Sequence, residues 1–502
     1  MAVTNILIYI VVILVTFILY AIKKNFEYWK DRGIPYEEPH VYYGNAKGFR
    51  TTRHMNFIIR DFYNKFKNSS TPFSGFFLLS KPVAVVTDLD LIKNIMIKDF
   101  NNFNDRYMFF NEKQDPLTAH LFNLDGEKWK PLRQKMTPTF TSGKMKYMFP
   151  TIKGVSDELS TAFDKCLTQD DNVEIVDLLA RFTTDVIGTC AFGVDCNSLR
   201  DPNAEFRAYG RTIFTNLRHT FRPIRMFIMT FPRMARKLGM RIIPDKTHDF
   251  FINVVKETVE YREKNNVQRN DFLNILMEMR KNNENGMGQM TIEEIASQTF
   301  LFFIAGFDTS STTMSFALYE LAHNQEIQEK LRKEINETLE KNNGEMTYEA
   351  TNEIPYLDQV ISETLRKYSV LSVLTRMTQE NYVVPNTKHV IEKGVMVMIP
   401  VDAIHHDEEI YPEPYKFDPD RFTDDEIKSR HPMTWLPFGD GPRNCIGLRF
   451  GKMQAKIGLI ALLSKFKFSV CSKTEEPVTL DPKPFILSPL NGVHLKVEKV
   501  QC

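Results

Sequence analysis

The segment Phe438–Gly447, PheGlyAspGlyProArgAsnCysIleGly, constrains this chain more than any other stretch. Gly439 and Gly441 free the backbone for a tight, bulged loop, and Gly441-Pro442 marks a turn. Beyond Cys445 the run Ile446–Leu463 is largely apolar with helical spacing, which sets Cys445 at or just before a helix N-terminus. Unpaired N–H groups and the helix dipole there favour a thiolate. Gly447 lets a flat ligand approach closely, and Arg443 adds a fixed cation. An isolated cysteine is ordinarily a buried, inert residue; the Phe-x-x-Gly-x-Arg-x-Cys-x-Gly spacing marks this one as chemical. The other five, Cys166, Cys190, Cys196, Cys471 and Cys502, form no C-x-x-C pair, and six in 502 residues are too sparse for a disulfide scaffold or a Cys-rich zinc site.

At the other end, Ile6–Ile22 is apolar and uncharged. As a helix it spans roughly 25 Å, enough for a thin bilayer. A cleaved signal peptide carries basic residues before its apolar run and small residues after it. Here Lys23 and Lys24 follow instead, which places them and the rest of the chain in the cytosol. A buried core helix is the alternative. Arg32–Gly44 is too rich in Pro and Gly to continue the helix and reads as a stiff connector. The expected division is a transmembrane signal anchor at 1–22, a connector at 23–50 and a cytosolic catalytic domain at 51–502. Phe221–Pro244 mixes Ile224, Met226, Phe227, Ile228, Met229 and Phe231 with Arg222, Arg225, Arg233, Arg236 and Lys237. It is too charged to span, and reads either as a monotopic contact with anionic lipid or as an ordinary amphipathic connection.

Helical periodicity dominates the middle of the chain, over Lys146–Cys166, Thr247–Lys264, Asn270–Lys281, Thr291–Asn324 and Gln325–Lys341. Strand-like runs stand nearer the edges, at Gly75–Leu79, Val83–Thr87, Val395–Ile399 and Val493–Val497. The expected fold is mainly α with a small β region. With 64 basic and 63 acidic residues, the net charge of +1 gives no general attraction to nucleic acid.

Further motifs stand at fixed places. Ala305-Gly306-Phe307-Asp308-Thr309-Ser310 lies midway along a long helix whose start carries a capping box, Thr291 and Glu294. Gly306 loosens that helix, and hydroxyls from Thr309 to Thr313 can bond back to carbonyls and bend it. Glu363 and Arg366, in GluThrLeuArg, share one face of the helix Tyr356–Tyr368. Phe417–Phe422 reads PheAspProAspArgPhe, with Arg421 near its end. Trp129 and Arg133 are four apart in TrpLysProLeuArg, and Arg376 closes ValLeuThrArg.

Together with the cysteine loop, these motifs resemble the cytochrome P-450 haem-thiolate monooxygenases, and the glycine-loop and AlaGlyPheAspThrSerSer stretches resemble insect microsomal members acting on plant toxins and insecticides. The resemblance implies the cytochrome P-450 fold with an N-terminal transmembrane helix, in the endoplasmic reticulum membrane. It implies haem b with Cys445 as axial iron ligand, a thiolate whose electron density favours O–O cleavage. Arg443, Trp129, Arg133 and Arg376 would face the propionates, with Phe438, Gly447 and Gly306 also at the haem. Thr309 would hydrogen-bond the reacting oxygen and Asp308 relay protons. Glu363, Arg366 and Arg421 would form a buried ion network that holds the proximal side in shape. One departure stands out: where the family usually places prolines after LeuArgLysTyr, this chain has Ser369-Val370-Leu371-Ser372.

By family position, Phe103–Phe122 covers the substrate cavity, offering Phe109, Phe110, Leu117, Leu121 and Phe122, with His120 as a loop hydrogen-bonder. Leu301, Phe302 and Ala305 would form another wall, and Leu371, Val373, Leu374, Leu487 and Leu490 the remainder. Such lining suits lipophilic substrates. Lys128, Lys130, Arg133, Lys135, Lys144 and Lys146, with Arg449, Lys452 and Lys456, could dock an acidic flavoprotein. No Gly-rich dinucleotide fingerprint follows a strand, so NADPH falls to NADPH-cytochrome P-450 reductase, with cytochrome b5 a second donor. Two rivals stand beside the monooxygenase: a haem-thiolate isomerase, which would not need the Asp308-Thr309 relay, and a non-enzymatic haem-binding membrane protein.

Overall fold

Phe73–Leu78 and Lys81–Val86 fold back on each other as an antiparallel hairpin with Phe73 opposite Val86. Met396–Ile399 pairs parallel with its second strand, Val83 opposite Met396, and Leu374–Met377 closes the four-stranded sheet antiparallel. Side chains alternate between two covered faces, as a period of two requires. Phe73, Phe77, Ala84 and Val86 join Trp29, Ile92, Met96 and Phe103 on one side. Phe76, Val83 and Val85 meet Ile58, Ile59 and Phe62 on the other. This is the core of the first of two units, residues 1–106, 372–411 and 431–443; the second comprises 107–371, 412–430 and 444–502. The computed structural model describes residues 2–213, 218–281 and 290–500, so Met1 and Cys502 lie outside the described residues.

The first unit begins with the helix Ala2–Asn25, part of a stretch long and apolar enough to cross a membrane. A short helix follows at Tyr28–Asp31. Its Trp29 has no exposed surface, donates from Nε1 to the Phe76 carbonyl at 3.2 Å, and sets its ring against Phe73. The chain just after the apolar helix is therefore built into the sheet's core.

The second unit is organised by the helix Ile292–His323. Its capping box is closed on both sides: Thr291 Oγ1 accepts from the Glu294 amide at 3.1 Å, and Glu294 accepts from the Thr291 amide at 2.9 Å. Most of its length is buried all round, the signature of a core helix. Ile175–Ile187, Asp245–Asn265 and Leu448–Leu463 pack on it, and Ser142–Leu167 packs on the last of these. Gly306 allows the closest of these approaches, since a β-carbon there would sit 2.3 Å from Ile187 Cδ1. A three-stranded antiparallel sheet, Asn172–Glu174, His494–Lys499 and Phe466–Ser469, completes the unit. The observed architecture is mainly α with small sheets.

Phe221–Pro244 forms two short helices, Arg222–Thr230 and Pro232–Lys237. Ile228 and Ala235 turn inward onto Phe109, while Phe221, Met229, Phe231, Met234 and Leu238 stand exposed. The exposed apolar side chains stand near Arg225, Arg233 and Lys237 in the sequence.

Trp29→Ala is expected to cost about 3–5 kcal/mol, the usual range for a large buried aromatic. Removing residues 1–24 is expected to leave stability nearly unchanged. Urea titrations of the two variants distinguish a docked Trp29 from a passive tether.

Candidate active site

Cys445 is the exposed cysteine among the described ones; Cys190 and Cys196 are buried, and Cys166 and Cys471 half-buried. The helix after it starts later than its apolar run implies, at Leu448, with Gly447 as the preceding cap. Ile446 and Gly447 thus belong to the loop, because Gly447 carries a non-helical ψ of 12°. Arg133, on the helix Gly126–Met136, clamps this loop from the side. Its Nη1 donates to the Asn444 carbonyl and its Nη2 to Asn444 Oδ1, both at 2.8 Å. Burial pulls the Arg133 pKa down, and the charge of Cys445 acts to raise it. Trp129, one turn earlier, is buried. A β-carbon on Gly447 would meet no neighbour nearer than Phe140 Cε1 at 3.8 Å, which leaves accessible surface next to the thiol.

The preceding half of the loop belongs to the first unit. Gly439 and Gly441 have φ of +65° and +69°, the left-handed region that glycine favours. At Gly441 glycine is required twice, because a β-carbon would lie 1.9 Å from the Met96 carbonyl oxygen. Phe438 sets its ring edge-on to Trp435. Arg443 is buried, and its carbonyl accepts from Arg106 Nη2 at 3.0 Å. Arg376, on the strand Leu374–Met377, is 2% exposed. Its Nη1 donates to the Thr375 carbonyl at 2.8 Å, its Nε has no partner, and it makes no ion pair among the described residues. Burial alone lowers its pKa to about 10. A guanidinium so placed calls for an anion. A carboxylate-bearing prosthetic group would supply one; in the second unit the exposed Cys445 thiol is a group that can hold haem iron, so the residues of each unit, taken by itself, fit haem.

The central helix of the second unit opens in the middle. Ala305 is exposed and Asp308 and Thr309 are half-buried, while Leu301–Phe303 and Ser310–Ala322 are buried. The helix runs unbroken through this stretch, and Thr309 Oγ1 donates back to the Ala305 carbonyl at 2.6 Å. A β-carbon on Gly306 would meet Ile187. Burial pushes the Asp308 carboxyl up to about 6, with the charge of Arg207 pulling it down. Arg207 is itself buried and paired with Asp177 at 2.9 Å, and Asp177 also takes Arg181 and Arg211. Those guanidiniums outweigh burial and hold Asp177 at about 2. Sequence reading missed Arg207 and Asp177, which carry no motif and lie far from Asp308 along the chain.

Glu363, Arg366 and Arg421 meet in the second unit. Arg366 Nε and Nη2 grip Glu363 at 2.6 and 2.8 Å, with neither side chain exposed. Arg421 Nε stands 3.6 Å from Glu363 Oε1. The Asp418 amide donates to Glu363, and Arg366 donates to the Pro414 carbonyl, so the loop is tied by its backbone as well.

The expected pocket residues divide. Leu117 and Leu121 lie against the central helix, and the Leu121 amide donates to Gln298 Oε1 at 3.0 Å. The Leu487 amide donates to the Val370 carbonyl, which brings the two loops containing Leu371 and Leu487 together. Leu301 is buried and Phe122 and Leu371 are half-buried. Three further residues have their neighbours in the fold. Phe302 packs into an aromatic cluster with Phe140 and Phe272, since it points about 100° round the helix from Leu301. Val373 packs on the sheet core of the first unit. Phe109 belongs to the Ile228–Ala235 cluster, and neighbouring Phe110 carries Arg236 over its ring at 3.4 Å. Among the basic residues, Lys456 is buried against Asp358 at 2.6 Å, with Lys452 at 3.9 Å from the same carboxylate. Lys128 and Lys146 pair with Glu112 and Glu349, leaving Lys130 and Arg449 exposed.

Comparison with known proteins agrees with this geometry. Residues 34–497 match the family described as Cytochrome P450. The chain is 49% identical to Cytochrome P450 6a2 of Drosophila melanogaster over 505 residues, covering 99% of this chain and 100% of that one. It is 50% identical to Cytochrome P450 6A1 of Musca domestica over 501 residues, covering 99% and 98% respectively. The chain belongs to the cytochrome P450 family. It is a haem-thiolate monooxygenase whose cofactor is haem held by a cysteine thiolate.

The Asp308 environment has a measurable consequence. Its folded pKa of about 6 lies above the model-compound 3.8, so the folded state binds the extra proton between those values. Stability present below about pH 4 should be lost as pH rises through about 6, by up to about 3 kcal/mol. Asp308→Asn should flatten that part of the profile and be the more stable protein at pH 8, as followed by urea midpoints from pH 4 to 8.

Proposed function

We propose that this chain is an endoplasmic-reticulum monooxygenase that inserts one oxygen atom from O2 into lipophilic xenobiotics, such as plant toxins or insecticides, with electrons from NADPH through a reductase. The observation that carries the reading is the exposed Cys445 in a loop that Arg133 clamps at Asn444. Cys445 would hold the haem through its thiolate, Arg376, Arg443, Arg133 and Trp129 would receive its carboxylates, and Phe438 and Gly447 would lie beside it. When bound, thiolate-held haem supplies the O2 activation and oxygen insertion.

The chain's own residues do the rest. Asp308, raised by burial to about 6, takes up and releases a proton close to neutral pH and passes it by way of water to the Thr309 hydroxyl. Thr309 gives its own proton to Ala305 in the resting helix, which keeps its lone pairs available to a donor. Leu117, Leu121, Phe122, Leu301, Ala305, Leu371 and Leu487 exclude water and take the substrate, while Glu363, Arg366 and Arg421 hold the proximal side in shape. Residues 1–22 anchor the protein, 23–50 connect, and 51–502 form the cytosolic catalytic domain. Phe221, Met229, Phe231 and Leu238 rest in the lipid interface with their basic neighbours at the headgroups. Lys130 and Arg449, with half-buried Lys135, remain to receive an acidic reductase or cytochrome b5; Lys452 and Lys456 are already committed to Asp358.

The test is Thr309→Ala, assayed with reductase, NADPH and a panel of lipophilic compounds. Haem content and the reduced CO spectrum should persist. Product per NADPH oxidised should fall while hydrogen peroxide release rises. An unchanged ratio would remove Thr309 from the relay.

A further inference from the structure

Gln298, 2% exposed, is a polar residue on a stretch of the central helix where Ala296, Phe300 and Leu301 are also buried. An amide is kept at such a place only when its hydrogen bonds are made. Its bonds run to the loop 119–121 and to neighbouring Ser297. The Leu121 amide donates to Oε1 at 3.0 Å, and Nε2 donates to Ser297 Oγ at 2.8 Å and reaches the Ala119 carbonyl at 3.5 Å. Ser297 Oγ shares its own proton between the Glu294 carbonyl at 2.9 Å and the Ala119 carbonyl at 3.3 Å. Residues 119–121 belong to no helix or strand, so these two side chains give the loop what a ladder would.

What the clamp holds is a stiff piece of chain. The Asn111 amide donates to Thr118 Oγ1 at 2.9 Å, and that hydroxyl donates on to the Asp115 carbonyl at 2.6 Å. Asn123 Nδ2 donates to the Phe109 and Thr118 carbonyls, both at 3.1 Å. The loop is also fastened to a second segment, where Asp115 Oδ2 accepts from the Ile242 and Ile243 amides at 2.7 and 3.2 Å. A loop laced in this way moves as one body, so its distance from the central helix is set where Gln298 holds it. Gln298, Leu301, Ala305 and Thr309 share one side of that helix, at spacings of three and four. Ala305 is exposed and Thr309 half-buried, whereas Leu301 and Gln298 are closed over. Gln298 stands about 16 Å from Thr309 along the helix axis. The open stretch beside Thr309 therefore ends where the clamp brings Leu121 onto the helix.

We propose that Gln298 sets the length of lipophile this chain accepts, by fixing how close Leu121 stands to the central helix. The inference rests on the pocket proposed above, in which Leu121, Leu301 and Ala305 line the path of the substrate. Gln298 is a positioning residue: it acts through the 119–121 backbone. A ligand too long for the cavity must push Leu121 back and break its amide bond to Gln298. That costs about fivefold in affinity, the size of one lost hydrogen bond. Each further methylene buried gains about fourfold. The two nearly cancel, so a homologous series stalls at one length.

The probe is a series of 1-alkylimidazoles with ethyl to dodecyl tails, whose ring nitrogen binds haem iron in the loaded protein. Dissociation constants are read from the shift of the haem absorption band, without turnover. In the full, detergent-solubilised chain, affinity should rise with tail length and then stall. In Gln298→Leu the stall should vanish, so that the longer members bind about fivefold tighter than to wild type. Gln298→Glu, which keeps an acceptor for the Leu121 amide, should keep the stall; Gln298→Met replaces Gln298→Leu if the latter does not fold. Hydrogen exchange of the peptide containing Leu121 should speed up in the apolar variants, a local change that a general loss of stability would not confine there. An unchanged stall or unchanged exchange in those variants overturns the proposal. Leu121→Ala, run in parallel, separates it from the pocket reading. If Leu121→Ala moves the stall and Gln298→Leu does not, the pocket stands and the clamp is only structural. If neither moves it, or wild type shows no stall, the wall assigned to Leu121 fails and the proposal fails with it.

Discussion

A carboxylate and a guanidinium with no exposed atoms, Glu363 and Arg366, are the constraint on which the second unit depends. Neither charge can be buried alone, and removing one partner of such a pair costs about 3–5 kcal/mol. Burial pushes the Glu363 carboxyl up, and Arg366 opposes it. The pair is satisfied only because the loop 412–430 brings the Asp418 amide, the Pro414 carbonyl and Arg421 to it. The same helix, Pro355–Lys367, reaches the helix behind Cys445 through Asp358 and Lys456 at 2.6 Å. An ion network with no chemistry of its own thus stands on a helix that is also tied to the one behind the cysteine loop.

Other buried charges are left deliberately less satisfied. Arg376 lies within a strand with an unpartnered Nε, and Asp308 has only a distant guanidinium to set against its burial. Each costs stability in the protein alone. In the proposed function that cost would have a use, a bound carboxylate neutralising the first and the second taking and releasing a proton near neutral pH. This separates Asp308 and Arg376 from Glu363 and Arg366, which have no exposed surface but are internally complete.

Much of this was legible in the sequence because its causes are local. The capping box needs only Thr291 and Glu294, three residues apart, and the left-handed turns at Gly439 and Gly441 need only glycine. Glu363 and Arg366 share a helix face by spacing alone. Arg421 was legible only through resemblance, since nothing local directs it to Glu363. Three-dimensional partners were not legible at all. Arg207 acts on Asp308 and pairs with Asp177, Lys456 finds Asp358 on another helix, and Phe302 joins Phe140 and Phe272 where Leu301 does not. Gly306 reads as a loosened helix centre, whereas in the fold it is the point where Ile187 packs in. The start of the helix after Cys445 was misplaced because Ile446 continues the apolar pattern while the backbone at Gly447 does not.

The central claim is that Cys445 is the thiolate that holds the haem. It is tested most directly by the reduced, CO-bound absorption spectrum of the full chain and of Cys445→Ser. Wild type should show the band characteristic of thiolate-ligated haem, and the variant should lose it, either binding no haem or carrying haem with a different axial ligand. Retention of that band in Cys445→Ser would contradict the account, because Cys190 and Cys196 are buried and Cys166 and Cys471 stand in no comparable loop.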